Sequence, residues 1–403
     1  MKHRAETGKK LPRQVKVLGA VSLLNDSASE MIVPLMPLFV TQVLGLGPAV
    51  LGLMEGVAEA VASLLKFLSG WWSDRLRRRK PLAVAGYALA CATRPLMGLV
   101  VAGWQLVALR GIDRTGKGLR AAPRDALLAE SVEPSQRGRA FGFNRAMDHA
   151  GAVVGPLAAL VLMSGFSLDL RTVFLLAAVP GVATVLLIAL AVRETPAADP
   201  QPAGKGVAAA PQGLDRRRFW VFLLAMFMFT LGNSTDVFLV LHAHELGVPA
   251  VLAPVLWMVL HISKSVSSTP LAGLSDRFGR LPVILAGWVV YALVYGLYGA
   301  ASAAWQVWPL LVVYGLYYGL TEGPSKAMTA DLVPAGGRGK GFGIYHLALG
   351  VASLPASVLA GYLWQAHGPA IALWTGAAFA ALAAVVLALF YPSTPSREAD
   401  RTS

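Results

Sequence analysis

Cysteine is nearly absent, with Cys91 alone inside an apolar run, which excludes a disulfide framework and a thiolate metal cage. Charge is scarce as well. Only 14% of the residues are Asp, Glu, Lys or Arg, against about a quarter in soluble domains, and a soluble fold is excluded on that ground. Alternation over ten-residue segments, the mark of a transmembrane barrel, does not occur. The apolar runs hold no His-x-x-x-His pair, Cys ligand or Met-x-x-x-Met array, so metal-ligand spacing is missing. Lys117-Gly118 has no strand signal before it and no Gly-Lys-Ser/Thr after it, so it is not a phosphate loop and nucleotide-driven work has no support. The longest interruption, about 25 residues, is too short to be the soluble domain of a sensor or receptor.

What the chain has is apolar length. Apolar residues make up 56% of it, mean hydropathy is +0.59, and about a dozen runs approach the roughly 20 residues that cross a bilayer as helix. The formal charge of +13 would point to nucleic acid in a soluble protein, but its placement excludes that reading. Of 35 Lys and Arg, 24 fall in the two tails and in alternate loops, and the intervening loops hold only Arg171. That is the positive-inside asymmetry; it predicts cytoplasmic N- and C-termini and an even number of spans. The basic start runs into a long apolar span with no small-residue cleavage site, which predicts a retained anchor. The lipid bilayer is the expected partner, with no cofactor, no bound metal and a monomeric state.

The chain also repeats itself. Ser73-Asp74-Arg75 recurs 202 positions on as Ser275-Asp276-Arg277, and Arg137-Gly138-Arg139-Ala140-Phe141-Gly142 recurs 201 on as Arg338-Gly339-Lys340-Gly341-Phe342-Gly343. Two copies of a mostly apolar unit of about 200 residues predict an all-α membrane protein of two similar halves. The expected organisation is a cytoplasmic tail (1–16), a six-helix bundle (17–192), an Ala/Pro/Gly-rich cytoplasmic linker (193–218), a second six-helix bundle (219–391) and a cytoplasmic tail (392–403).

Twelve helices in two pseudo-symmetric halves, with Asp-Arg-basic loops after the second and eighth, resemble the major facilitator superfamily of secondary transporters. The second-helix signature of that family, Gly-x-x-x-Asp-Arg-x-Gly-Arg-basic, appears as Gly70-Trp71-Trp72-Ser73-Asp74-Arg75-Leu76-Arg77-Arg78-Arg79, with Arg77 at the usual glycine. Arg114-Thr-Gly-Lys-Gly118-Leu-Arg120-Ala121-Ala122 resembles its fourth-helix motif, with Arg120 at the second glycine, and Gly151 to Gly155-Pro156 resembles a motif of exporters. The resemblance implies alternating access in a bacterial-type inner membrane. It also implies a cytoplasmic gate at Asp74, Arg75, Asp276 and Arg277 and a proton-linked role for Arg114; Arg124 and Asp125 join the closure by depth.

Ten Lys and Arg lie within the spans, and at roughly 2.5 kcal/mol or more each at mid-membrane they cannot all face lipid. The densest set, Arg110, Asp113, Arg114, Lys117, Arg120, Arg124 and Asp125, is spaced mostly by four and shares one broad helix face. That face predicts a cavity wall. The acids are also spaced by four, Asp26 with Glu30 and Glu55 with Glu59; two carboxyls close together in low dielectric do not both ionise easily, which suits a proton carrier. Asp26, Glu30 and Arg114 are therefore the expected coupling residues. Laying Ser27-Ala-Ser-Glu30 on Asn233-Ser-Thr-Asp236 places Asp236 in the cavity of the other half. Arg110, Asp113, Arg145, Tyr317, Glu322 and His346 complete the expected cavity, with Tyr314 and Tyr318 beside Tyr317 as an aromatic wall. The preferred reading is proton-coupled efflux of an amphipathic organic small molecule. Uptake of a small anionic metabolite is the alternative, and divalent-metal export through His149, His261 and His346 is a weaker one.

Overall fold

The computed structural model describes residues 10–46, 49–76, 78–194, 216–234, 236–249 and 252–391. Residues 1–9 of the expected N-terminal tail, the expected C-terminal tail and most of the linker lie outside these residues, as do the side chains of Glu55 and Glu59; the first helix begins at Arg13, inside the expected tail. Among the described residues there is no strand. The first half consists of α1 (Arg13–Glu30), α2 (Ala49–Leu76), α3 (Lys80–Leu96), α4 (Gly103–Glu130), α5 (Arg137–Gly165), α6 (Leu170–Leu176) and α7 (Ala178–Ala191). The second consists of α8 (Arg216–Gly232), α9 (Val237–Glu245), α10 (Ala253–Phe278), α11 (Arg280–Gly299), α12 (Ala304–Leu332), α13 (Arg338–His367) and α14 (Pro369–Phe390). Among the described residues, six helical segments are long and apolar enough to cross a membrane by length and composition. α4 is as long, 28 residues, but its charged face lowers its hydropathy.

The repeat is visible in the helix ends. Gln105 on α4 accepts from the N–H groups of Val101 and Ala102 at 2.9 and 3.1 Å, and Gln306 on α12 accepts from Ser302 and Ala303 at 2.8 and 3.1 Å. In each copy a side chain on the first turn satisfies donors that the helix start leaves open. Pro123 and Pro324, also 201 apart, interrupt the backbone ladders of the same two helices. The corners after α10 and α13 turn at Gly279 and Gly368, whose φ of 90° and 88° a side chain would strain.

The polarity of the bundle is inverted relative to a soluble protein. Leu190, Val266 and Leu389 are at least 72% exposed, whereas Arg110, Asp113, Asp125, Lys264 and Lys326 are buried. An apolar exterior over a charged interior is what a bilayer solvent selects. The halves meet where α2 crosses α13 and α5 crosses α10. A Cβ on Gly343 of α13 would lie 3.0 Å from the Phe67 carbonyl, and one on Gly142 of α5 would lie 2.5 Å from the Ala272 Cβ, so both crossings depend on glycine for their close approach.

Candidate functional site

Two adjoining cavities lie between the halves. The first, ≈ 300 Å³, is walled mainly by α1 and α4, and Asp26, Glu30 and Arg114 all line it. Eight basic and three acidic side chains face it; four of the basic ones, Arg114, Lys117, Arg120 and Arg124, come from α4, where steps of three and four keep them on one side. The second cavity, ≈ 150 Å³, is walled by the second half, with Phe229, Trp288, Tyr317, Tyr318 and Tyr345 in its lining. Arg145, Lys326 and His346 line both.

Buried ion pairs join the halves at this junction. Asp125, with no exposed surface, accepts from Lys326 Nζ at 2.6 Å, lies 2.9 Å from His346 Nε2 and pairs with Arg124 at 3.2 Å. Glu322 lies 3.1 Å from His149 Nε2 and 3.8 Å from Arg145 Nε. Asp148 ties Arg145, at 3.0 Å, to Arg124, at 3.6 Å. Asp125 therefore satisfies cations from both halves and Glu322 takes its partners from the opposite half, so separating the halves exposes charges that the closed arrangement pairs.

At the end of the bundle that carries the Asp-Arg loops, the contacts come in matched sets. Asp74 accepts from the backbone N–H groups of Gly339 and Lys340 at 2.9 and 2.6 Å, and Asp276 accepts from Gly138 and Arg139 at 2.9 and 2.8 Å. Each carboxylate thus sits on the first turn of the opposite half's helix, α13 or α5, where open donors and the helix dipole favour an anion. Burial raises the pKa of Asp74 above the ordinary aspartate value, while the two N–H donors and Arg79 act against that rise. Arg79 pairs with Asp74 at 3.4 Å and Glu130 at 2.5 Å, and donates to the Ala335 carbonyl of the other half at 3.1 Å. Arg280 repeats this with Asp276, Asp331 and the Pro134 carbonyl, and Arg137 bonds Asp331 across the halves.

Several residues fall elsewhere than the sequence pattern indicated. Arg110 and Asp113 lie behind the cavity wall, where Asp113 pairs with Arg94 at 2.9 Å and with Arg110 at 3.5 Å. Asp236 lines neither cavity; Lys264 holds it at 2.7 Å, and the hydroxyls of Tyr314 and Tyr318 donate to it at 2.8 and 3.0 Å. Tyr314 packs into the core against Tyr291 and Tyr295, leaving Tyr317 and Tyr318 on the cavity. Arg75 and Arg277 are exposed and rest on Trp71 and Phe278, so Arg79 and Arg280 make the contacts between halves. Those two, with Glu130 and Asp331, recur at an offset of 201, a signal that could have found them. Among the described residues no group of three His, Cys, Asp or Glu is placed to hold a metal ion.

The sequence profile of the Major Facilitator Superfamily matches residues 18–267 and 262–403. The chain belongs to that superfamily. An uncharacterized transporter of the same superfamily from Methanocaldococcus jannaschii is 33% identical over 367 residues, covering 89% of this chain and 90% of that one. The Escherichia coli multidrug resistance protein MdtH is 26% identical over 373 residues, covering 88% and 90%. Among solved structures, the E. coli fucose:proton symporter FucP superposes with a TM-score of 0.77 at 15% identity, covering 94% of this chain and 98% of that one, a likeness of fold. As a superfamily member the chain is a membrane-spanning secondary transporter of small molecules and not an enzyme.

Proposed function

We propose that this transporter exports an amphipathic organic small molecule in exchange for protons, by rocking its two halves about the cavity. The observation that carries the proposal is the division of that cavity, with a charged wall from the first half and an aromatic wall from the second. An amphipathic substrate satisfies both walls at once. Asp26 and Glu30 share the charged wall with Arg114, an arrangement suited to taking a proton when the substrate leaves. Asp74 and Asp276, with Arg79 and Arg280, form the gate, and Arg124 and Asp125 close the cavity above it. In this reading the halves are the six-helix units 17–192 and 219–391, joined by a cytoplasmic linker (193–218), with both termini cytoplasmic and the chain monomeric in a bacterial-type inner membrane. The named activity of MdtH supports export.

Proteoliposomes that trap a pH dye test the coupling. Adding an amphipathic arene should move protons through the wild type and not through Asp26→Asn/Glu30→Gln. Substrate flux that survives collapse of the pH gradient would reject the exchange. The eight basic side chains facing the charged cavity favour a second reading, uptake of a small anionic metabolite. A deletion strain separates the two: drug sensitivity goes with export, and failure to grow on an anionic carbon or phosphate source goes with uptake.

A further inference from the structure

We infer that the substrate is an organic anion, its charged group seated at Arg120 and its aromatic, hydrogen-bonding body against Trp288, Asn233 and Ser325. The inference rests on the amphipathic cavity proposed above and adds the sign of the charge and the atoms that read it. Arg120 is 6% exposed, faces the charged cavity, and lies over the Tyr87 ring at 4.7 Å. Its Nη1 is buried without a hydrogen-bond partner. A guanidinium N–H held out of water without an acceptor is costly, and an entering anion recovers that cost. The surrounding wall is net positive, with Arg94, Lys117 and Arg124 among eight basic side chains against the three acids Asp26, Glu30 and Asp148, so a cation is repelled and an anion drawn in. Position 120 is also where the superfamily motif carries glycine, so the charge is a feature of this chain.

The aromatic cavity carries the complementary observation. Trp288 Nε1 and Asn233 Oδ1 belong to side chains in its lining and lack hydrogen-bond partners, and the Ser325 hydroxyl lines the same space beside Tyr345. Trp288 is fully buried and stacks on Phe229 with centroids 4.9 Å apart, while Asn233 spends its amide donor on the Tyr317 hydroxyl. The lining thus offers an indole donor, an amide acceptor and a hydroxyl beside flat rings. An arene bearing a polar substituent uses all three.

The test compares three probes of one shape, 1-naphthoate, 1-naphthalenemethanol and 1-naphthylmethylammonium, by equilibrium binding to the purified full-length protein in nanodiscs. The expected order is naphthoate above the alcohol by about ten- to hundredfold, the worth of a charge-assisted hydrogen bond, with no binding of the ammonium. Arg120→Gln should bring naphthoate down to the level of the alcohol and leave the alcohol unchanged, which also shows that the variant is folded. Arg120→Lys should restore most of the preference, and Trp288→Phe should weaken acid and alcohol alike. Equal binding of acid and alcohol, tighter binding of the ammonium, or an Arg120→Gln protein that keeps its preference would overturn the anion seat while leaving the amphipathic cavity standing. Failure of the wild type to bind any of the three would overturn both.

Discussion

Removing Lys326 tests whether the pairs between the halves control the motion or merely brace the fold. Lys326→Met keeps the length of the side chain and deletes the charge 2.6 Å from Asp125, where the two side chains are 4% and 0% exposed. Breaking a buried pair from one side costs about 3–5 kcal/mol, because the remaining charge is left uncompensated. His346 at 2.9 Å and Arg124 at 3.2 Å still face Asp125, so the low end, about 3 kcal/mol, applies. In the alternate state the halves part, Asp125 meets water, and the cost disappears. The equilibrium should then move toward that state by about a hundredfold, at about 1.4 kcal/mol per decade. Spin labels at Ser135 and Gly336, exposed positions in the loops before α5 and α13, report the separation in a Cys91→Ala background. Lys326→Met should add a longer distance to the distribution, and Asp125→Asn/Lys326→Met should remove most of it. A variant that loses thermal stability with no second distance would show a static strut and refute the reasoning.

The gate makes a paired prediction: Asp74→Asn and Asp276→Asn each exchange a carboxylate that accepts two backbone N–H groups. Each should weaken the closed state by about 1.5–3 kcal/mol and lengthen the same label distance. Unchanged transport rate and substrate affinity in both would remove the gate role. Gly142→Leu should separate α5 from α10, because even a Cβ there would meet Ala272 at 2.5 Å; cross-linking between the loops should fall, and Gly296→Ala, with open space around it, is the control. Asp236→Ala should lower thermal stability by about 3–5 kcal/mol, since it strands Lys264 in the interior, with naphthoate affinity within about twofold. A large affinity loss with normal stability would instead put Asp236 in contact with substrate.

The duplication, the helical class and the charged face of α4 were legible because they depend on local spacing and on an offset within the chain. The place of Asp26, Glu30 and Arg114 on the cavity was legible for the same reason: helical spacing chooses a face, and hydropathy says which faces avoid lipid. Depth and partner choice were not. Asp236 has the residue type and repeat position of a cavity acid, but its partner Lys264 stands 28 positions away on another helix, and no local pattern announces that pairing. Tyr314, Tyr317 and Tyr318 share a helical stripe, yet the bundle turns Tyr314 into the core and leaves the other two on the cavity. Arg75 and Arg77 to Arg79 look alike in sequence, and only the position of Ala335 in the other half selects Arg79.

The same geometry explains why the latches stayed alike while the centre diverged. In two halves related by a pseudo-two-fold axis, a contact on the axis joins equivalent positions, as in an isologous dimer. Asp125 and Lys326 are such a pair, 201 apart in sequence and 2.6 Å apart in space. Had the copies stayed identical there, two carboxylates or two ammonium groups would face each other without water, so the position had to become neutral or take opposite charges. Contacts away from the axis are under no such constraint. Asp74 meets Gly339 and Lys340, and Asp276 meets Gly138 and Arg139, so each copy can keep the same acid against a different partner. Distance from the axis therefore sets which residues can differ freely between the halves and which must differ, and the obligatory difference falls at the junction of the two cavities, beside Arg145 and His346, themselves equivalent positions that no longer match.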